Sequence, residues 1–142
     1  MPVLGLSGRP LSEPAAFVRP EALAHALADG AVALDLDAAA DIAALAPHLP
    51  RLGLIRIAFA GLADGRGFSL ARRLRLLGHR GRLRALGPLI PDQRAALLGC
   101  GFDEVELAAE LLDRQGGSGA WAARPSEPPF LRRRRQAPPR AA

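Results

Sequence analysis

The chain contains no lysine and no tyrosine, and Cys100 is its one cysteine. Without lysine there is no Schiff-base chemistry and no phosphate-binding lysine of the P-loop kind. One thiol excludes an internal disulfide, a Cys-x-x-Cys redox pair and a four-thiolate iron–sulfur site supplied by this chain alone, so electron transfer needs a borrowed or non-covalent cofactor. Long apolar runs are missing too. No uncharged stretch reaches the roughly 18–20 residues of a membrane span, and no basic segment followed by a continuous apolar one opens the chain. A cytoplasmic protein is expected.

The formal charge of +5 resembles that of a nucleic-acid binder until its position is considered. Residues 1–123 balance 13 Arg against 13 Asp and Glu, whereas residues 124–142 hold six Arg against Glu127 alone. The excess sits in the tail, and its cluster at residues 132–135 has no interleaved aromatics, so nucleic acid is not an expected partner. His25, His48 and His79 lie far apart, none beside a carboxylate at metal-ligand spacing, and no metal site is expected. Cys100, between Gly99 and Gly101, reads as a small buried residue.

At 142 residues the chain suits one domain with a core of ordinary size. Residues 1–19, with Pro2, Gly5, Gly8, Pro10 and Pro14, read as an irregular N-terminal arm. Residues 20–28 predict a short helix with Pro20 in its first turn. Alternating strands and helices follow: strand 31–36 and helix 37–45, strand 54–60 and helix 70–77, strand 82–86 and helix 92–98, then strand 102–107 and a last helix over 108–114. The expected fold is α/β, a single domain over residues 20–115. Its sheet is small and mainly parallel, about four strands built from βα units with right-handed crossovers, half-barrel-like or open. Residues 116–142, rich in Gly, Pro and Arg, read as a disordered tail.

The glycine-rich junction before the second helix, Ala63-Asp64-Gly65-Arg66-Gly67-Phe68-Ser69, concentrates the chemistry. Loops that follow parallel strands share one edge of the sheet, which brings Asp64, Arg66 and Ser69 to the rim that carries Asp92 and Gln93. Gly65 and Gly67 let backbone N–H groups approach a ligand, Arg66 adds a fork of donors, and the helix N-terminus favours negative charge. A small oxyanion such as sulfate, sulfite or phosphate fits those donors. The structural reading of the same residues is a loop brace for Asp64 and Arg66, a cap for Ser69 and a first-turn acid for Asp92. A dinucleotide fingerprint does not fit, because Leu70 stands where the third small residue belongs and the next strand ends in Leu86-Gly87 rather than an acid. Arg56 and Arg84 interrupt two apolar strands and share a sheet face if alternation sets the register. They either reach a bound anion or pair with Asp35 or another acid.

The Asp64-Gly-Arg-Gly-Phe-Ser69 block, read with Leu83-Arg-Ala-Leu-Gly87, Asp92-Gln93 and Gly101-Phe102, resembles a family of small bacterial proteins over residues 31–107. Members are encoded beside assimilatory sulfite reductase and carry a domain of unknown function described as a probable oxidoreductase involved in sulfite reduction. The resemblance implies a place in sulfate assimilation. The expected role is an accessory protein that associates with sulfite reductase or its electron donor. The alternative is a small oxidoreductase or anion-binding enzyme acting on a sulfur oxyanion or phosphorylated intermediate, with Asp64 as base or hydrogen-bond acceptor and Arg66 as oxyanion ligand. No cofactor is evident in the sequence, and a non-covalent flavin is compatible with it.

Overall fold

The strand segments alternate Leu, Ile or Val with Arg, Asp or Glu, a pattern that suits a sheet with one apolar and one polar face. The computed structural model, which describes residues 1–14, 16–28, 32–61 and 63–122, forms such a sheet. Its strands are β1 (Val3–Gly5), β2 (Phe17–Val18), β3 (Val32–Asp37), β4 (Leu52–Ala58), β5 (Arg82–Leu86) and β6 (Glu104–Glu106), in the order β1-β6-β5-β4-β3-β2. Strands β2 to β6 are parallel and lie in chain order, and β1 closes the far edge antiparallel to β6. Every crossover steps the same way, so right-handed connections put the helices on one face. There Leu34, Leu36, Ile55, Ile57, Leu83, Ala85 and Val105 form the core with side chains of the covering segments, among them Leu45, Leu70, Ala71, Leu74 and Leu97.

Among the described residues the mixed α/β domain has six strands where about four were expected, because the N-terminal arm supplies both edges. Strands of three and two residues are too short to show a period. The chain between them crosses the helix-free face from one edge to the other, a width of about 24 Å at ~4.8 Å per strand. Two other elements differ from expectation. Residues 38–39 turn instead of starting an α-helix, and the following segment Ala43–Arg51 is a 3-10 helix running through Pro47 and Pro50. Proline in an α-helix interior clashes with the preceding turn, which favours the shorter-period form here. The α-helix α1 (Leu23–Leu27) follows a 3-10 turn at Pro20–Ala22, and α2 (Arg66–Leu76) begins four residues earlier than its apolar stripe.

A 3-10 turn at Pro91–Gln93 precedes α3 (Arg94–Gly99). Beyond α4 (Ala109–Arg114), α5 (Ser118–Ala122) adds a helix past the boundary expected at Gln115. Gly116 and Gly117, both at positive φ, turn the chain back rather than releasing it. Trp121 then packs into the core at 2 % exposure, and its indole N–H donates to Gln115 Oε1 at 2.9 Å. Residues 123–142, the remainder of the expected tail, lie outside the described residues. Among the described residues no helix is long and apolar enough to cross a membrane.

At the N-terminal ends of the strands, Arg75 of α2 donates to the carbonyls of His79, Gly81 and Gly101 and to Asp103 Oδ2. His79 fills the space beside them at 2 % exposure; its Nε2 lies 3.2 Å from the Arg82 carbonyl, and its Nδ1 is buried with no hydrogen-bond partner. A neutral ring with its proton on Nε2 donates to that carbonyl and leaves no buried N–H without an acceptor. Burial, followed by the charges of Arg75 and Arg9, holds the imidazole below its ordinary value of 6.5, against the opposing Arg82 carbonyl and Asp103.

Two outcomes are expected. Trp121→Ala should cost about 3–5 kcal/mol in urea unfolding, the usual effect of deleting a buried tryptophan, and truncation after Gln115 should cost at least as much. His79 takes up its proton more readily unfolded than folded, so its contribution to stability is full above about pH 6.5 and declines as the pH falls towards the lowered native value. The melting temperature should therefore drop between about pH 7 and pH 5 more steeply in the wild type than in His79→Gln.

Candidate functional site

The loop after β4 is built on Phe59. Its ring meets Phe68 edge-on at 5.2 Å between centroids and Phe102 at 5.7 Å. A Cβ at Gly67 would fall 2.4 Å from that ring, and one at Gly87 (φ 141°) 2.7 Å from the Phe59 carbonyl. These two glycines are therefore demanded by packing. Gly65 is different: it has ordinary helical φ/ψ, and an added Cβ would meet nothing within 4 Å.

Asp64 braces its own loop. Its Oδ2 accepts from Ala60 N at 3.2 Å, and its Oδ1 accepts from Arg66 N at 3.2 Å and Arg66 Nε at 3.0 Å. The Asp64 side chain is only 7 % exposed, and that of Arg66 63 %. Hydrogen bonds from Arg66 and then from the Ala60 N–H hold the Asp64 carboxyl below its usual range, and the same pair raises Arg66.

Ser69 does not cap α2. It sits in the first turns of the helix, exposed, with Oγ 3.5 Å from the Gly65 carbonyl. Together Gly65, Arg66, Ser69 and Arg73 line an open cleft of about 520 Å³ whose other wall is Ala38–Ala40. A second cleft of about 340 Å³ continues over Asp37, Phe59 and Asp64. The rim cleft thus lies between the loops after β3 and β4. Asp92 and Gln93, on the turn after β5, line neither cleft. Asp92 is exposed in the first turn of the Pro91–Gln93 segment, and Gln93 Oε1 accepts from Ile90 N at 3.0 Å.

Arg84, the remaining residue expected at a ligand site, lies on the helix-free sheet face and is completely buried. In the observed register Asp35, Arg56, Arg84 and Glu104 stand side by side on β3, β4, β5 and β6. Arg56 forks onto Asp35 at 2.9 and 3.1 Å and reaches Glu106 Oε2 at 3.2 Å. Arg84 donates to Glu104 at 2.9 Å, Glu106 Oε2 at 3.1 Å and Glu13 Oε1 at 2.8 Å, and Arg82 to Glu104 at 2.9 Å. The Phe17 ring covers the Arg56 guanidinium at 3.8 Å. Burial pushes the Glu104 carboxyl up, against the pull of Arg84 and Arg82. Burial likewise opposes the charge on Arg84, but its bonds to Glu13 and Glu106 prevail and raise it.

Arg56 and Arg84 therefore share a face and pair with acids, Asp35 among them. The other members, Arg82, Glu104 and Glu106, carry a visible signal in the sequence: Arg82-Leu-Arg84 and Glu104-Val-Glu106 place charges at the period of a strand. Glu13 and Phe17 carry none, since only the crossing of the arm brings them there. Removing one member of so buried a lattice strands its partners, so Arg84→Met should cost about 3–5 kcal/mol in chemical denaturation. Adding Glu104→Gln should recover part of that loss.

No curated protein matches the chain. A family model does, over residues 33–117, an interval that takes in the Asp64–Ser69 block and every strand residue of the charged lattice while leaving out Glu13, Phe17 and Trp121. The match covers more than half of the chain, and the protein accordingly belongs to the family described as bacterial protein of unknown function (DUF934).

Proposed function

We propose that this chain is a cytoplasmic accessory protein of assimilatory sulfite reduction that acts by associating with sulfite reductase or its electron donor. The resemblance of the Asp64–Ser69 block and its companions supplies the pathway. The observation that carries association over catalysis is how the polar side chains are used. On the sheet face, Arg56, Arg82 and Arg84 are engaged by Asp35, Glu104, Glu106 and Glu13, and at the rim Asp64 is engaged by Arg66 and Ala60 N. The rim instead offers an open surface of small side chains, Ala38–Ala40 and Gly65, edged by Arg66 and Arg73. Such a surface admits another protein's backbone closely and supplies positive charge at its edge.

The second reading, a small oxidoreductase or anion-binding enzyme, draws on Arg66 and Arg73 sharing one cleft beside the start of α2. A sulfur oxyanion or a phosphorylated intermediate suits those donors. A yellow absorption band in the purified protein, or turnover of sulfite by the protein alone, would favour it over association.

Deletion of the gene should slow growth on sulfate and sulfite and leave growth on sulfide intact; equal growth on all three removes the pathway assignment. Gly65→Leu tests the surface. Its side chain enters the cleft without meeting protein within 4 Å of its Cβ. Stability should change by no more than about 0.5 kcal/mol. Co-purification with sulfite reductase, and growth on sulfite, should both be lost, and retention of both would show that the rim is not the contact.

A further inference from the structure

The helix-free sheet face carries a second feature, independent of the rim. The arm crosses this face as a strap, and an open cleft of about 350 Å³ lies between the two, floored by Ala33 and Leu54, walled by Ser12, Pro14 and Ala16, and ended by Arg82. Ala33 and Leu54 are paired across β3 and β4, and Leu54 across β4 and β5 with Arg82; Arg56 and Arg84 stand two residues further along the same strands on the same face. Of the charged lattice Arg82 lines the cleft; Arg84 stands two residues beyond it on β5, and Glu13 lies on the strap between the lining residues Ser12 and Pro14.

Within that lattice Glu13 differs from every other acid. Asp35, Glu104 and Glu106 project from strands and balance Arg56, Arg82 and Arg84 one for one, whereas Glu13 comes from the strap. Its side chain is 62 % exposed, yet it holds both terminal nitrogens of the fully buried Arg84, at 2.8 and 3.3 Å. Arg84 holds the Glu13 carboxyl below its usual range in return. Any other carboxylate placed there replaces Glu13 charge for charge and meets the same two-pronged donor.

We infer that the strap-covered face is a binding site for a small molecule bearing a carboxylate on an apolar body, with Glu13 occupying the carboxylate position as an internal ligand when the site is empty. The carboxylate takes the outward nitrogens of Arg84, and the body lies in the cleft over Ala33 and Leu54. The size of the cleft suits a small ligand, and its pairing of apolar floor with a fixed cation is the usual composition of such sites. The ligand competes with Glu13, so its apparent affinity is the intrinsic affinity multiplied by the fraction of time the internal carboxylate is displaced. The site is one of recognition, and its existence does not depend on association with sulfite reductase.

Benzoate is the probe, titrated into the full chain and into Glu13→Gln while the methyl resonances of Ala16 and Ala33 are followed by NMR. Glu13→Gln should bind benzoate about tenfold more tightly than the wild type, because the competing charge is gone. Shifts should concentrate at those two methyls, acetate should bind more weakly than benzoate, and benzyl alcohol should leave both methyls unmoved. Equal affinity in the two proteins, shifts elsewhere only, binding of benzyl alcohol as tight as benzoate, or no response in either protein up to the millimolar range would each overturn the assignment. Glu13→Asp, which keeps the charge but withdraws it by one methylene, should show the same ordering to a smaller degree. It serves if the glutamine variant melts below the temperature of the assay.

Discussion

Arg56 and Arg84 stand opposite one another on adjacent parallel strands, and the rest of the sheet is arranged to make that juxtaposition tolerable. Like charges directly across a strand pair repel, and inside a protein the repulsion is weakly screened. Glu106 Oε2 accepts from both guanidinium groups, at 3.2 and 3.1 Å, while Asp35 and Glu104 flank them on the outer strands. A buried lattice of this kind is weak support for net stability, because desolvation offsets much of the attraction. Its clearer effect is on register. A slip of one residue on any of the strands would turn its charges into the leucine and isoleucine face, so only one alignment satisfies both faces.

The same lattice accounts for the path of the N-terminal arm. Parallel sheets normally carry helices on both faces, and here the chain order of β2 to β6 leaves one face without them among the described residues. Phe17 and Glu13 cover what the helices do not, one by stacking on Arg56 and the other by closing on Arg84. The strap that carries them also ends in the two edge strands. Short edges of this kind, three and two residues long, offer little template for pairing with another chain.

At the C-terminal ends of the strands, the rim is closely packed underneath and open above. Phe59 packs against Phe68 and Phe102 and fixes the positions of Gly67 and Gly87 around it, while Asp64 closes the loop on itself. The signature block thus serves two purposes. Gly67 answers a packing demand and Gly65 leaves clear surface, although the two glycines are indistinguishable in the sequence.

The sequence by itself determined the class of the fold, the parallel strands β3 to β6, the α2 helix and the shared face of Arg56 and Arg84. Each of these follows from a local period, two for strands and 3.6 for a helix, that is written in consecutive residues. It also determined that Asp64, Gly65 and Arg66 fall at a strand-to-helix junction. Only the tertiary structure decided that Asp92 and Gln93 stand apart from the rim clefts, that Arg84 is buried among acids of the strands and the arm, and that Ser69 lies within its helix. The edge strands, the contacts of Glu13 and Phe17 and the burial of Trp121 were beyond sequence reading for one physical reason. These segments are too short, or too rich in glycine and proline, to carry a period, and their conformations are stabilised by contacts with residues far away in the chain.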